Sequence, residues 1–186
     1  VQLPFGPQRM VMVNERVPTY EKIVSLAQLK VHSTATVTMA IKNIAMSFPA
    51  AGFYGHPRVS QKKHPHNILQ DKHAFLVGML MRFPIDLAIV LGAPAMVGKG
   101  PIGGKAVETG LALAGRNAVT VDSVGAFLIG FETLGVQYLR QADQMGLGAT
   151  YMPPNQEGEG GRVKIDGLSV DEAVKIFRKA VYGETF

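Results

Sequence analysis

Apolar residues fall in short blocks along this chain, and the spacing within each block predicts alternating strands and helices. Residues 10–13 and 23–29 are runs rich in β-branched side chains and read as strands, which puts Lys30 at a strand end. Across residues 36–46, Val37, Ile41 and Ile44 recur at helical spacing until Pro49 stops the pattern. Residues 49–65 mix glycine, proline, aromatic and polar residues without a period, the pattern of a long loop placed to act as a lid. Asn67 is a candidate cap for a helix running to Phe83 with Phe75, Leu76 and Met79 inward, and Pro84 ends it.

Residues 86–91, DLAIVL, form the strongest predicted strand, a near-continuous apolar run suited to a sheet covered on both faces. A glycine-rich loop is expected over 92–105, a strand over 109–114, and helices over 117–129 and 134–145. Residues 151–161, YMPPNQEGEGG, have the composition of a flexible linker. Beyond a short strand at 162–165, Ser169 and Glu172 make a capping box for a last amphipathic helix. The alternation predicts an α/β layered fold with a mixed or mostly parallel sheet flanked by helices. The expected organisation is one domain over 1–150, a linker over 151–161, and a terminal strand and helix over 162–186 that pack on the same domain.

Composition narrows the chemistry. A chain of 186 residues can bury roughly 70% of its unfolded surface and needs no staple. It has no cysteine, so disulfides, zinc–thiolate sites, a thiol nucleophile and any iron–sulfur cluster ligated by this chain are excluded. The longest apolar stretch, residues 75–98, carries Arg82, Pro84 and Asp86, which argues against a membrane span and a membrane partner. No signal-peptide pattern opens the chain, so the expected location is the cytoplasm. The net charge of +5 suits phosphates or carboxylates, but no aromatic-interleaved basic stripe supports nucleic acid as a partner.

Residues 30–43, KVHSTATVTMAIKN, carry the main chemical signal. Lys30 and His32, two apart on an extended segment, point to one side and can share a bound group, the lysine giving charge and the histidine a proton. The competing role is a polar seam in which they pair with Asp86 or Asp122. Lys42 and Asn43, on the helix that follows, distinguish the two by whether they converge on the same place. Gly98, Gly100 and Gly103 match G-x-G-x-x-G after a strand, with Asp122 near the position of the ribose-binding acid, but Pro101 and Gly104 lead into a strand rather than a helix. A nucleotide site is therefore not expected, while bare amides over 98–105 could still hold a small anion.

Asp122 lies in an otherwise apolar helix, where a carboxylate must bind helix amides, pair with a lysine or act as a general base, in that order of expectation. His32, His56, His64, His66 and His73 lie close in sequence with only Asp71 nearby, so they read as capping, packing or solvent-facing groups rather than metal ligands.

The segments LKVHSTATVTMAIKN, DLAIVLGAPAMVGKGPIGG, LALAGRNAVTVDSVGAFLIGF and YLRQADQMGLG, in this order, resemble domain-of-unknown-function family 362 over residues 23–148. The resemblance implies an α/β fold and association with iron–sulfur ferredoxin-like segments, hence a redox connection and a redox protein as partner. Lys30, His32, Lys42, Asn43, Gly98, Gly100, Pro101 and Asp122 match the family pattern. Val31 stands where threonine is usual, Leu91 and Val97 where acids are common, and Asn117 where aspartate is common. The resemblance also implies a further strand–helix unit before Val1, so an open sheet edge, a homo-oligomer or a preceding segment is expected.

The function expected is binding of a small anion or an unidentified cofactor between residues 30–43 and the turn at Gly98, Gly100, Gly103 and Gly104. The rivals are an enzyme acting on a carboxylate or phosphate, with Lys30, His32 and Asp122 as catalytic residues, and a structural interaction module.

Overall fold

Among the residues that the computed structural model describes, 1–55, 71–153 and 164–183, the chain forms five strands and six α-helices. The strands are β1 (Val24–His32), β2 (Thr36–Thr38), β3 (Leu87–Lys99), β4 (Gly103–Val107) and β5 (Ala112–Gly115). The helices are α1 (Ala40–Ser47), α2 (Ala51–Tyr54), α3 (Lys72–Arg82), α4 (Ala118–Ile129), α5 (Gln137–Gln144) and α6 (Val170–Tyr182).

Two-residue alternation builds the sheet. In β1, Ser25, Ala27, Leu29 and Val31 are buried while Val24 and Leu26 stay more than half exposed on the opposite face. β1 runs parallel to β3, with Val24 opposite Leu87 and Leu26 opposite Ile89, and the register slips between Gln28 and Lys30. β2 pairs antiparallel with the other edge of β1. The free edge of β3 takes β5 along residues 88–91 and β4 along residues 95–99, both antiparallel. The result is the mixed sheet of an α/β layered fold, as the alternation of elements predicted.

α4 packs against β3, β5 and β1, and α1 lies on β1 beside α3. α4 is buried almost all round, the signature of a central helix. Asn117 caps it by accepting from Thr120 N at 3.0 Å and also donates Nδ2 to the Leu147 carbonyl at 3.0 Å. An aspartate could make only the first of these bonds.

Several elements differ from the sequence reading. Residues 10–13 make only single bridges, Met10 with Gln2 and Val13 with Pro49, and no strand. The helix read from residue 36 starts at Ala40, because Thr36, Val37 and Thr38 pair with β1 as their β-branched side chains favour. The glycine-rich segment 92–105 is not a loop: β3 continues to Lys99 and turns directly into β4. The strand read over 109–114 lies at Ala112–Gly115. Residues 134–145 split into a short 3₁₀ turn, Thr133–Gly135, and α5. Lys164 and Ile165 lie outside any strand, and Arg162 is outside the described residues.

The expected cap at Asn67 and three of the histidines, His56, His64 and His66, also fall outside the described residues. The described helix α3 is capped by Asp71, whose side chain accepts from Ala74 N at 2.9 Å. The segment read as a linker begins at an anchored residue. Tyr151 N donates to Ser123 Oγ at 2.8 Å, and its carbonyl accepts from Thr133 Oγ1 at 2.7 Å. Ser169 and Glu172 form the capping box of α6.

Candidate functional site

The carboxyl end of β1 and the hairpin that follows organise the polar groups. Lys30 and His32 face the same side of the strand, opposite Thr38 and Thr36 of β2. The turn between them is held by the histidine itself: His32 Nδ1 accepts from Thr34 N at 3.1 Å and from Ala35 N at 3.3 Å. Two amide donors on Nδ1 assign the neutral tautomer with the proton on Nε2, so this ring can donate only from Nε2 while the turn is intact. Thr36 closes the turn at a φ of 65°, a left-handed conformation that is costly for a β-branched residue.

α1 begins two residues after β2 with Met39 at its N-cap, a side chain with no oxygen to offer. The missing cap comes from α4. Asp122 Oδ1 accepts from Ala40 N at 2.9 Å and Oδ2 from Ile41 N at 3.0 Å, and Tyr138 from α5 adds its hydroxyl at 3.3 Å. Asp122 is fully buried, and burial raises its pKa from 3.8 to about 7 against the pull of these three bonds. It therefore meets helix amides, the first of its three expected roles, and hydrogen-bonds no lysine among the described residues. Asn43 donates Nδ2 to Ser25 Oγ at 3.1 Å and to the Leu26 carbonyl at 3.2 Å, and so ties α1 to β1.

Lys42, the third residue of α1, is only 5% exposed. Burial, then the charges of Lys30 and Lys72, lowers its pKa from 10.5 to about 8. No carboxylate pairs with Lys42 among the described residues; the described ion pairs are Lys22–Asp86 and Lys164–Asp166. Asp86 is thus taken by Lys22 and by Ile23 N, not by Lys30 or His32. Lys72, at the start of α3, approaches Thr34 Oγ1 at 3.4 Å, and that hydroxyl lies 3.3 Å from His32 Nδ1. Next to Lys72, His73 stacks on Tyr138 with ring centroids 6.1 Å apart, and burial holds it below the usual imidazole range.

The structure therefore brings Lys30 and Lys42 together, adds Lys72, and links them to His32 through Thr34. It does not bring the lysines to the glycines. Gly98 and Gly100 meet His32 across a separate cleft, and Gly103 and Gly104 sit in β4 outside its lining. The glycines open no helix, so the phosphate-binding turn of a dinucleotide site is absent here. Packing accounts for Gly100: a Cβ there would lie 2.1 Å from the Val31 carbonyl oxygen. Gly100→Ala is expected to lower stability by about 2 kcal/mol in urea unfolding, because the Val31 backbone in a sheet strand cannot move aside.

Sequence spacing missed Lys72, Thr34 and Tyr138. A single lysine after a helix cap carries no periodic signal, and the partners lie far along the chain. Among the described residues no group of three His, Asp or Glu side chains could hold a metal ion. No helix among them is long and apolar enough to cross a membrane.

No curated protein and no solved structure matches the chain. The model of one family, Domain of unknown function (DUF362), matches residues 1–127, in which Lys30, His32, Lys42, Lys72 and Asp122 all lie. With more than half of its length matched, and a fold that agrees with the resemblance in its motifs, the chain belongs to the DUF362 family.

Proposed function

We propose that the protein binds a small, multiply charged anion at the cluster of Lys30, Lys42 and Lys72. One observation carries this reading: Lys42 is buried beside two other lysines and has no counter-charge among the described residues. An unpaired buried ammonium is costly, and a bound anion supplies the missing charge. Phosphate and pyrophosphate suit such a site better than a single carboxylate, since three cations call for more than one negative charge. Any redox role in this reading belongs to the ligand or to a partner protein, because a chain without cysteine has no thiolate to hold a cluster.

The test is calorimetric titration of pyrophosphate and of inorganic phosphate. Binding is expected below about pH 8 and should weaken about tenfold per pH unit above it, since Lys42 must be charged to hold the anion. Affinity that is flat across that range, or unchanged in Lys42→Met, would overturn the proposal. A second reading, an enzyme acting on the same anion, is favoured by the lowered pKa of Lys42, which fits it to exchange a proton near neutrality.

A further inference from the structure

The parallel strands β1 and β3 both end at a cleft of about 770 Å³ that the lysine cluster does not line. This is where sheets of this kind place ligands, beyond the carboxyl ends of parallel strands. Its two sides differ in chemistry. His32, Ser33 and Thr36 from the β1–β2 hairpin face Gly98, Lys99 and Gly100 from the end of β3, and no acidic residue among the described residues lines the cleft. The other side is apolar, built from Ile129 at the end of α4, Phe131 just beyond it, and Phe177, Val181 and Tyr182 of α6. Val97 extends that apolar surface between the two.

We infer that this cleft is a second binding site, for an anion with a flat apolar body, and that Lys99 holds its charged end. The volume falls in the range of small-molecule sites and exceeds what a simple inorganic ion fills. Lys99 is the one formal charge among the described lining residues, and it favours a ligand of negative charge. Aromatic rings at Phe131, Phe177 and Tyr182 favour a planar body, which stacks edge-on or offset against them at little entropic cost. The strained Thr36 lies on the lip, and strain of this kind concentrates where a ligand is held.

The probe is 2-naphthoate, with 2-naphthalenemethanol as its uncharged counterpart and acetate as the head alone, followed by calorimetry and by ligand-detected NMR. Naphthoate is expected to bind about tenfold more tightly than the alcohol, and acetate should fail to displace it. Lys99→Ala should weaken naphthoate about tenfold and leave the alcohol unchanged. Val181→Trp, which fills the cleft from a half-buried position, should weaken both aromatic ligands without lowering the unfolding temperature. Lys42→Met should leave naphthoate binding intact, which separates this site from the lysine cluster. Equal affinity for acid and alcohol, indifference to both cleft variants, or loss of naphthoate in Lys42→Met alone would each overturn the assignment. Pyrophosphate binding can fail without touching this outcome, since Lys99 and Val181, the residues altered in the cleft, lie outside the lysine cluster.

Discussion

Replacing Lys42 by methionine is expected to stabilise the free protein by about 3 kcal/mol at about pH 7 and to abolish binding of pyrophosphate. The size follows from the shift of the lysine from 10.5 to about 8. While charged, the group costs the folded state what that shift represents, because burial removes water from the ammonium and Lys30 and Lys72 repel it. A group whose pKa is lower in the folded state costs stability below the folded value and stops doing so above the unfolded one. The advantage of Lys42→Met over the native protein should therefore be full below about pH 8 and fade by about pH 10.5. Methionine keeps the length and most of the volume, so no cavity opens to confuse the measurement. Urea unfolding of both proteins across this range reads the effect. Equal stability at neutral pH would mean that the ammonium reaches solvent or a partner charge. Added pyrophosphate should narrow the gap from the other side, since it stabilises only the protein that binds it.

How much of this was legible in the chain depends on the range of the interaction. The apolar run of β3, the capping box of α6 and the buried helix α4 are local patterns, and each appears where its residues predicted it. β2 was hidden because Val37 falls in phase with Ile41 and Ile44 by coincidence, while its pairing with β1 depends on a turn that His32 stabilises. The β3–β4 hairpin was hidden for a related reason. Glycine and proline are loop signals, yet Gly100 is needed here because a strand carbonyl leaves no room for a side chain. Asp122 showed from sequence that it required partners but not which, since its amides come from a helix more than eighty positions away. Lys42 and Lys30 could be suspected from their shared segment, whereas Lys72 joins them only through the tertiary packing of α1 on α3.

Asp122 should give the protein a pH dependence opposite to that of an ordinary surface carboxylate. Its pKa is raised by burial from 3.8 to about 7, so the folded state keeps a proton that the unfolded chain has already released. The stability linked to this group is complete below about pH 4 and is lost as the pH rises through about 7. Asp122→Asn removes the titration while keeping the shape and one acceptor for the amides of Ala40 and Ile41. The difference in unfolding free energy between variant and native protein should then move toward the variant by about 4 kcal/mol between about pH 4 and about pH 8. The prediction concerns that movement, not the offset, because the Asn amide also faces one N–H that it cannot satisfy. A constant offset across the range would show that the three donors on Asp122 outweigh its burial. Taken with Lys42, the consequence reaches the whole molecule: one charge costs stability from about pH 7 upward and the other up to about pH 8. The contribution of the pair is therefore at its lowest between those values, with both groups charged in the first turn of α1 and its cap. An anion bound to the lysines relieves one half of that cost, and so makes ligand-free and ligand-bound protein differ most in stability near neutral pH.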